Sequence, residues 1–145
     1  MIVDTTYLLP LSRIEVDTDL LKLIAEHKID LAFDEIGTSM ISLFEIQAKA
    51  HKQGLQPRFP IEAIEAINTN FRVAPFCSPE IIETCGLLPS SIKDYIDRII
   101  VATAIALKEN LVTEDSRIRK ARKALKNEFG IEVFSYKDLV AHKGR

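Results

Sequence analysis

The chain has 145 residues, of which 47% are hydrophobic and 28% are charged. This length and composition are typical of one globular domain and exclude a disordered chain. The uncharged stretches are far shorter than the roughly 18 apolar residues of a membrane span, and a net charge of −2 gives no overall attraction to a polyanion. Because the first cation is Arg13, the positive start of a secretory signal is missing. We therefore expect a single domain over residues 1–145 that is located in the cytoplasm, with no membrane association.

The first half of the chain is predicted to alternate strands and helices. A short apolar run at 2–3 predicts a strand that ends in a polar turn. A capped helix is expected at 17–28 and a second strand at 29–33. Ser39 can cap a helix over 39–53, and Pro60 suits the first turn of a third helix.

The second half continues this alternation. The predicted strands lie at 73–76, 111–113 and 131–134. The predicted helices begin at Pro79, cover 92–110 and 115–130, and end the chain with a short segment. Strands that alternate with helices predict parallel pairing in a layered α/β domain.

Two acidic residues follow predicted strands directly. Asp4 comes after the first strand and Asp115 after the strand at 111–113. Ligands of parallel sheets bind beyond the carboxyl ends of the strands, which favours a functional role for both. For Asp115 alone a helix cap is the more common role, because Asp is preferred before a helix.

Asp97 is harder to explain as a structural residue. Ser91 and Asp94 have the spacing of a capping box, so Asp94 is interpreted as part of the helix start, with Asp97 one turn further in. Asp97 shares its helix face with Ile100 and Val101. A carboxylate on such an apolar face needs a cation or a metal ion as partner, since burying an unpaired charge is costly.

Glu45 has two interpretations that the sequence leaves equal. It can form an ion pair with Lys49 one helical turn later, worth about 0.3–0.5 kcal/mol. It can also join Asp4, Asp97 and Asp115 in one site. Four such carboxylates would repel one another unless a divalent cation intervened, and oxygen ligands favour Mg²⁺ or Mn²⁺. Such ions activate water for phosphodiester hydrolysis.

The helix predicted at 115–130 is strongly basic. Four cations are spaced to share one of its faces: Arg119, Arg122, Lys123 and Lys126. A row of this kind is most often a solvated face. Because it contains no acid and begins just beyond Asp115, it is also well placed to bind a nucleic-acid backbone.

Four segments resemble, in order and spacing, the four motifs of the PIN-domain nucleases. They are Ile2-Val3-Asp4-Thr5-Thr6, Ser42-Leu43-Phe44-Glu45-Ile46, Asp97-Arg98-Ile99-Ile100-Val101-Ala102-Thr103-Ala104 and Leu111-Val112-Thr113-Glu114-Asp115. The resemblance covers nearly the whole chain and implies a three-layer α/β/α sandwich around a parallel sheet. Asp94 matches no motif position and is expected to remain a cap.

The resemblance also implies a metal-dependent endoribonuclease. Asp4, Asp97 and Asp115 would hold Mg²⁺ or Mn²⁺, Glu45 would help to position the metal or the attacking water, and Thr113 matches the hydroxyl residue of the fourth motif. Many single-domain members are VapC-type toxins, usually homodimeric and inhibited by a small antitoxin protein.

Other functions remain open at this point. A PIN-domain nuclease of RNA processing would have the same motifs, and an inactive module could bind RNA or protein without cutting. A receiver-like phosphoacceptor is disfavoured, because it would need adjacent acids after the first strand and Asp4 is followed by two threonines.

Overall fold

The computed structural model describes residues 1–142 and contains one parallel sheet. Its strands run in the order β3-β2-β1-β4-β5, and every neighbouring pair is parallel. Their bounds are Ile2–Val3 (β1), Gly37–Ser39 (β2), Arg72–Ala74 (β3), Leu111–Val112 (β4) and Val133–Phe134 (β5).

Helices connect and cover these strands. The α-helices are α1 (Leu20–Ala25), α2 (Met40–Lys52), α3 (Arg58–Asn70), α4 (Pro79–Leu87), α5 (Tyr95–Leu107), α6 (Ser116–Lys120), α7 (Arg122–Phe129) and α8 (Tyr136–His142). Two 3₁₀ helices span Thr5–Ser12 and Phe33–Glu35. Among residues 1–142, no helix has the length and apolar character needed to cross a bilayer.

The sheet separates two hydrophobic cores. Ile2 and Leu111 face one core, where they pack with residues of α4, α5 and α7. Val3 and Val112 face the other, with residues of the first 3₁₀ helix, α1 and α3. Alternate strand residues therefore enter opposite cores, as a strand geometry of period two requires. The predicted three-layer α/β/α architecture with a central parallel sheet is confirmed.

The second strand lies later than predicted. Residues 29–33 form no strand, and β2 is Gly37–Ser39 instead. A Cβ atom at Gly37 would lie only 3.0 Å from Ile2 Cδ1, so the close approach of β2 to β1 favours glycine at this position. Since a fully buried strand of Gly, Thr and Ser has no apolar run, the sequence pattern did not indicate it.

Several predicted helices have different ends. The first helix is capped by Asp19 rather than by Asp17 or Thr18. The central helix, α5, begins three residues later than predicted and is capped by Asp94, so Asp97 lies in its first turn. The turn after Asp4 continues as the 3₁₀ helix Thr5–Ser12. These shifts bring Asp94 and Asp97 to the same end of α5.

The predicted basic helix is divided into α6 and α7, which meet at Ala121. Ile118, Ala121 and Leu125 all face the same core, so the break does not change which side is buried. Gly130 ends α7 with a φ of 74°, in the left-handed region that glycine adopts without strain.

Candidate active site

The site lies at the carboxyl edge of the central strands. Asp4 follows β1 and Asp115 follows β4, which are adjacent parallel strands with Val3 opposite Val112. Asp4 is only 8% exposed. Because the two strands end in register, their following residues are brought to the same edge of the sheet.

Asp4 is held by hydrogen bonds from two threonines. Its Oδ2 accepts a bond of 2.6 Å from Thr113 Oγ1, and its Oδ1 accepts one of 2.7 Å from the Thr5 N–H. Burial raises the pKa of Asp4, whereas these two bonds act in the opposite direction. The nearby Asp115 carboxylate raises the Asp4 pKa further.

Asp115 is both a helix cap and a member of this group. Its Oδ1 accepts the N–H groups of Arg117 (2.8 Å) and Ile118 (2.9 Å), and so caps α6. Its own N–H donates to Thr113 Oγ1 at 3.0 Å. The Thr113 hydroxyl therefore connects Asp115 to Asp4, because it accepts from one residue and donates to the other.

Glu45 reaches the site from the second turn of α2. The helix begins at the end of β2, where Ser39 caps it, so its first turns lie at the same edge as Asp4. Glu45 Oε1 accepts a hydrogen bond of 2.5 Å from Thr5 Oγ1. The predicted pair with Lys49 is not among the ion pairs of the described residues. Burial and then Asp4 raise the Glu45 pKa, while Lys49 is near enough to lower it.

Asp97 is the third acid of this group whose pKa is raised. Its backbone N–H donates to Asp94 Oδ1 at 3.2 Å, which places its side chain at the start of α5. Burial, and after it the charges of Asp115, Asp4, Asp94 and Glu45, together raise its pKa to about 7. The negative charges of these four neighbours therefore add to the effect of burial at Asp97.

The structure thus brings together Asp4, Glu45, Asp97 and Asp115, which lie far apart in sequence. In residues 1–142, however, no three Asp, Glu, His or Cys side chains lie close enough together to bind a metal ion in their present positions. The types of side chain present nevertheless fit a divalent cation. Carboxylate oxygens are the ligands that hard ions prefer, and a cation would offset the neighbouring negative charges that raise the Asp97 pKa.

Comparison with known proteins now identifies the family. A model of the PIN domain matches residues 1–124. This chain belongs to the PIN-domain family. Ribonuclease VapC22 of Mycobacterium tuberculosis (strain ATCC 25618 / H37Rv) is 34% identical to this PIN-domain chain over 91 residues, which are 61% of this chain and 69% of the relative. The resemblance read from the four motifs is confirmed.

Solved structures show the same fold. A toxin-antitoxin complex from Klebsiella pneumoniae contains a chain with a TM-score of 0.63 and 22% identity, with 93% of the PIN-domain chain and 96% of the other covered. VapBC2 from Rickettsia felis, bound to a DNA fragment from its promoter, has a TM-score of 0.61 and 18% identity, with 92% and 96% covered. These likenesses support the three-layer architecture.

The four basic residues that were predicted to share one face are divided between two consecutive helices of the PIN domain, α6 and α7. Arg122, Lys123 and Lys126 are exposed on α7, and Lys126 Nζ forms an ion pair of 2.6 Å with Glu132. Arg119 lies on α6, is only half-exposed, and has a buried Nε without a hydrogen-bond partner in the described part of the chain. Arg119 and Arg122 both lie near enough to Asp138 to lower its pKa, so the two residues remain close across the turn at Ala121.

Thr5 and Ser42 are site residues that the sequence analysis did not single out. Thr5 Oγ1 contacts Glu45, and it also lies 2.9 Å from Ser42 Oγ. Both threonine and serine are buried. Their positions in the sequence could have indicated both residues, because Thr5 directly follows Asp4 and Ser42 lies almost one helical turn before Glu45.

Proposed function

We propose that this protein is a divalent-metal-dependent endoribonuclease that hydrolyses RNA phosphodiester bonds. The observation that carries the proposal is the grouping of Asp4, Glu45, Asp97 and Asp115 at one edge of a PIN-domain sheet, with the Asp97 pKa raised to about 7. A cluster of acids with unbalanced charge suits metal-assisted chemistry better than a purely structural role.

Asp4, Asp97 and Asp115 would hold the cation, which we propose to be Mg²⁺ or Mn²⁺. Such an ion, when bound, polarises a phosphoryl oxygen and makes bound water more acidic. Thr113 would support two of the three ligands, since its hydroxyl contacts both the Asp4 carboxylate and the Asp115 N–H.

Glu45 would act beside these ligands. Its Oε1 is held by Thr5, which limits how the carboxylate can rotate. Burial raises the Glu45 pKa, and this favours acceptance of a proton from an attacking water. Glu45 would therefore orient or deprotonate the nucleophile, and Thr5 would hold it in place.

A cleavage assay tests the proposal directly. We expect the purified protein to cut single-stranded RNA in Mg²⁺ or Mn²⁺ and to lose this activity in excess chelator, because the reacting water depends on the cation. End-labelled RNA resolved on a denaturing gel measures the products. Undiminished cleavage in chelator would contradict metal dependence, and binding without cleavage would favour the inactive binding module.

We further propose that the protein is the toxin of a toxin–antitoxin pair, in the cytoplasm, as a homodimer with a small antitoxin partner. Its similarity to a chain of a toxin-antitoxin complex supports this role. Expression in a bacterial host should arrest growth, and co-expression of a small protein encoded next to its gene should restore it. Growth without arrest would favour a nuclease of RNA processing.

The exposed cations of α7 are proposed to bind the RNA backbone. Exchanging Arg122 and Lys123 for Glu should weaken RNA binding, because the variant neutralises fewer phosphates. The slope of log affinity against log salt should fall by about 0.7 for each phosphate that is no longer neutralised. Titration of a labelled single strand at several salt concentrations measures this slope.

The control with the same change in net charge is the double variant Lys22→Glu with Lys52→Glu, at exposed residues of α1 and α2. It should leave the salt slope unchanged. Equal losses in the control and in the α7 variant would mean that only net charge matters, and that α7 is a solvated face.

A further inference from the structure

Glu114 joins three parts of the fold beside the site. It lies between Thr113 and Asp115, but its own side chain has other partners. Glu114 Oε1 accepts a hydrogen bond of 2.7 Å from the Tyr7 hydroxyl and one of 2.6 Å from the Tyr136 N–H. We call these three residues the Glu114 clamp.

The clamp connects segments that are distant in sequence. Tyr7 belongs to the 3₁₀ helix that begins directly after Asp4, and Tyr136 is the first residue of α8. Hydrogen bonds therefore connect the loop after β4 to the 3₁₀ helix near the start of the chain and to α8. The match to the family model ends at residue 124, so α8 lies outside it.

The residues of the 113–115 loop have two separate sets of hydrogen-bond partners. On one side, Thr113 and Asp115 bond to each other, and Thr113 also bonds to Asp4. On the other side, Glu114 holds Tyr7, whose side chain is fully buried. A buried hydroxyl without an acceptor would be destabilising, so Tyr7 and Glu114 restrict each other's position.

We propose that Glu114 and Tyr7 are positioning residues, which hold the 113–115 loop so that Asp115 and Asp4 can share one cation. This inference rests on the proposed metal-dependent function. It assigns part of the support of the site to α8, through the Tyr136 N–H.

The test measures Mn²⁺ binding without RNA, from the electron paramagnetic resonance signal of the free ion. Tyr7→Phe and Glu114→Ala should each weaken Mn²⁺ affinity about tenfold, as is typical for groups that orient metal ligands. Glu114→Gln keeps a carbonyl acceptor for both donors and should stay within about twofold of the wild type. Tyr136→Phe is the matched control, because it removes a hydroxyl but keeps the N–H that bonds to Glu114.

Thermal unfolding of the same variants separates positioning from stability. Wild-type Mn²⁺ affinity in Tyr7→Phe, with a lowered melting temperature, would overturn the inference and leave the clamp a purely structural feature. If Glu114→Ala does not fold, Tyr7→Phe still decides, since it removes a single oxygen atom.

Asp97→Asn in the same assay distinguishes the two proposals. If Asp97→Asn loses Mn²⁺ binding and Tyr7→Phe does not, only the clamp inference fails. If the wild type binds no Mn²⁺ and cuts no RNA, the proposed function fails and the inference fails with it.

Discussion

Replacing Asp97 with Asn is expected to lower metal-dependent RNA cleavage by more than about a hundredfold. Loss of residues that only support metal ligands costs about 10–100-fold, so loss of a ligand should cost more. Asn preserves the size of the side chain and a carbonyl oxygen but removes the charge that attracts the cation. Initial cleavage rates in saturating Mg²⁺ and Mn²⁺ measure the effect.

The control for charge is Asp34→Asn, because Asp34 is an exposed acid in the 3₁₀ helix that precedes β2, at the amino end of the strands. It should cleave RNA at the wild-type rate. Cleavage by Asp97→Asn within a few fold of the control would remove Asp97 from the site.

Asp97→Asn should also stabilise the folded protein when no metal is present. The folded-state pKa of Asp97 is about 7, against an ordinary value of 3.8. The folded state therefore binds this proton more tightly than the unfolded state, and the free energy of unfolding falls as the pH rises from about 4 through 7. In chelator, Asp97→Asn should melt a few degrees above the wild type near pH 8, and the difference should shrink near pH 5.

The pH series also contains its own check. Asp4 and Glu45 have raised pKa values as well, so both proteins should lose stability with rising pH, the wild type more steeply. If the melting temperatures of the two proteins change in parallel across this pH range, the pKa of Asp97 is not raised by its burial and its acidic neighbours.

Replacing Thr113 with Val is expected to impair both stability and cleavage. Val has the shape of Thr but removes the hydroxyl that donates to Asp4 Oδ2 and accepts the Asp115 N–H. A buried polar group left without its partner costs about 1–3 kcal/mol, and more when it is charged. Cleavage should fall about 10–100-fold, because two of the proposed metal ligands lose their support.

Thr113→Ser is the matched variant, since it keeps the hydroxyl and loses only a methyl group. It should recover most of the cleavage activity that Val loses. The prediction would be wrong if Val and Ser were equally active, because the hydroxyl would then have no part in holding the carboxylates. Chemical denaturation and cleavage rates together provide the comparison.

Local sequence patterns were sufficient where neighbouring residues decide the structure. Ser39 was predicted to cap a helix over 39–53, and it caps α2, which spans Met40–Lys52. Local patterns were insufficient at α5. Ser91 and Asp94 are each followed three residues later by an acid, so both have the spacing of a helix start. The chain there forms a turn from Pro89 to Ile92 with Ile92 buried, so the helix begins after Asp94.

The sequence by itself determined the alternation of strands and helices, the four acidic motif positions and the PIN-domain family, because these depend on spacing along the chain. Only the tertiary structure decided that Glu45 bonds to Thr5, that Thr113 joins Asp4 to Asp115 and that Glu114 bonds to Tyr7. The partners of Thr5 with Glu45, Thr113 with Asp4 and Tyr7 with Glu114 lie 40, 109 and 107 residues apart. No local pattern contains such pairs, since they form only when parallel strands bring their carboxyl ends to one edge.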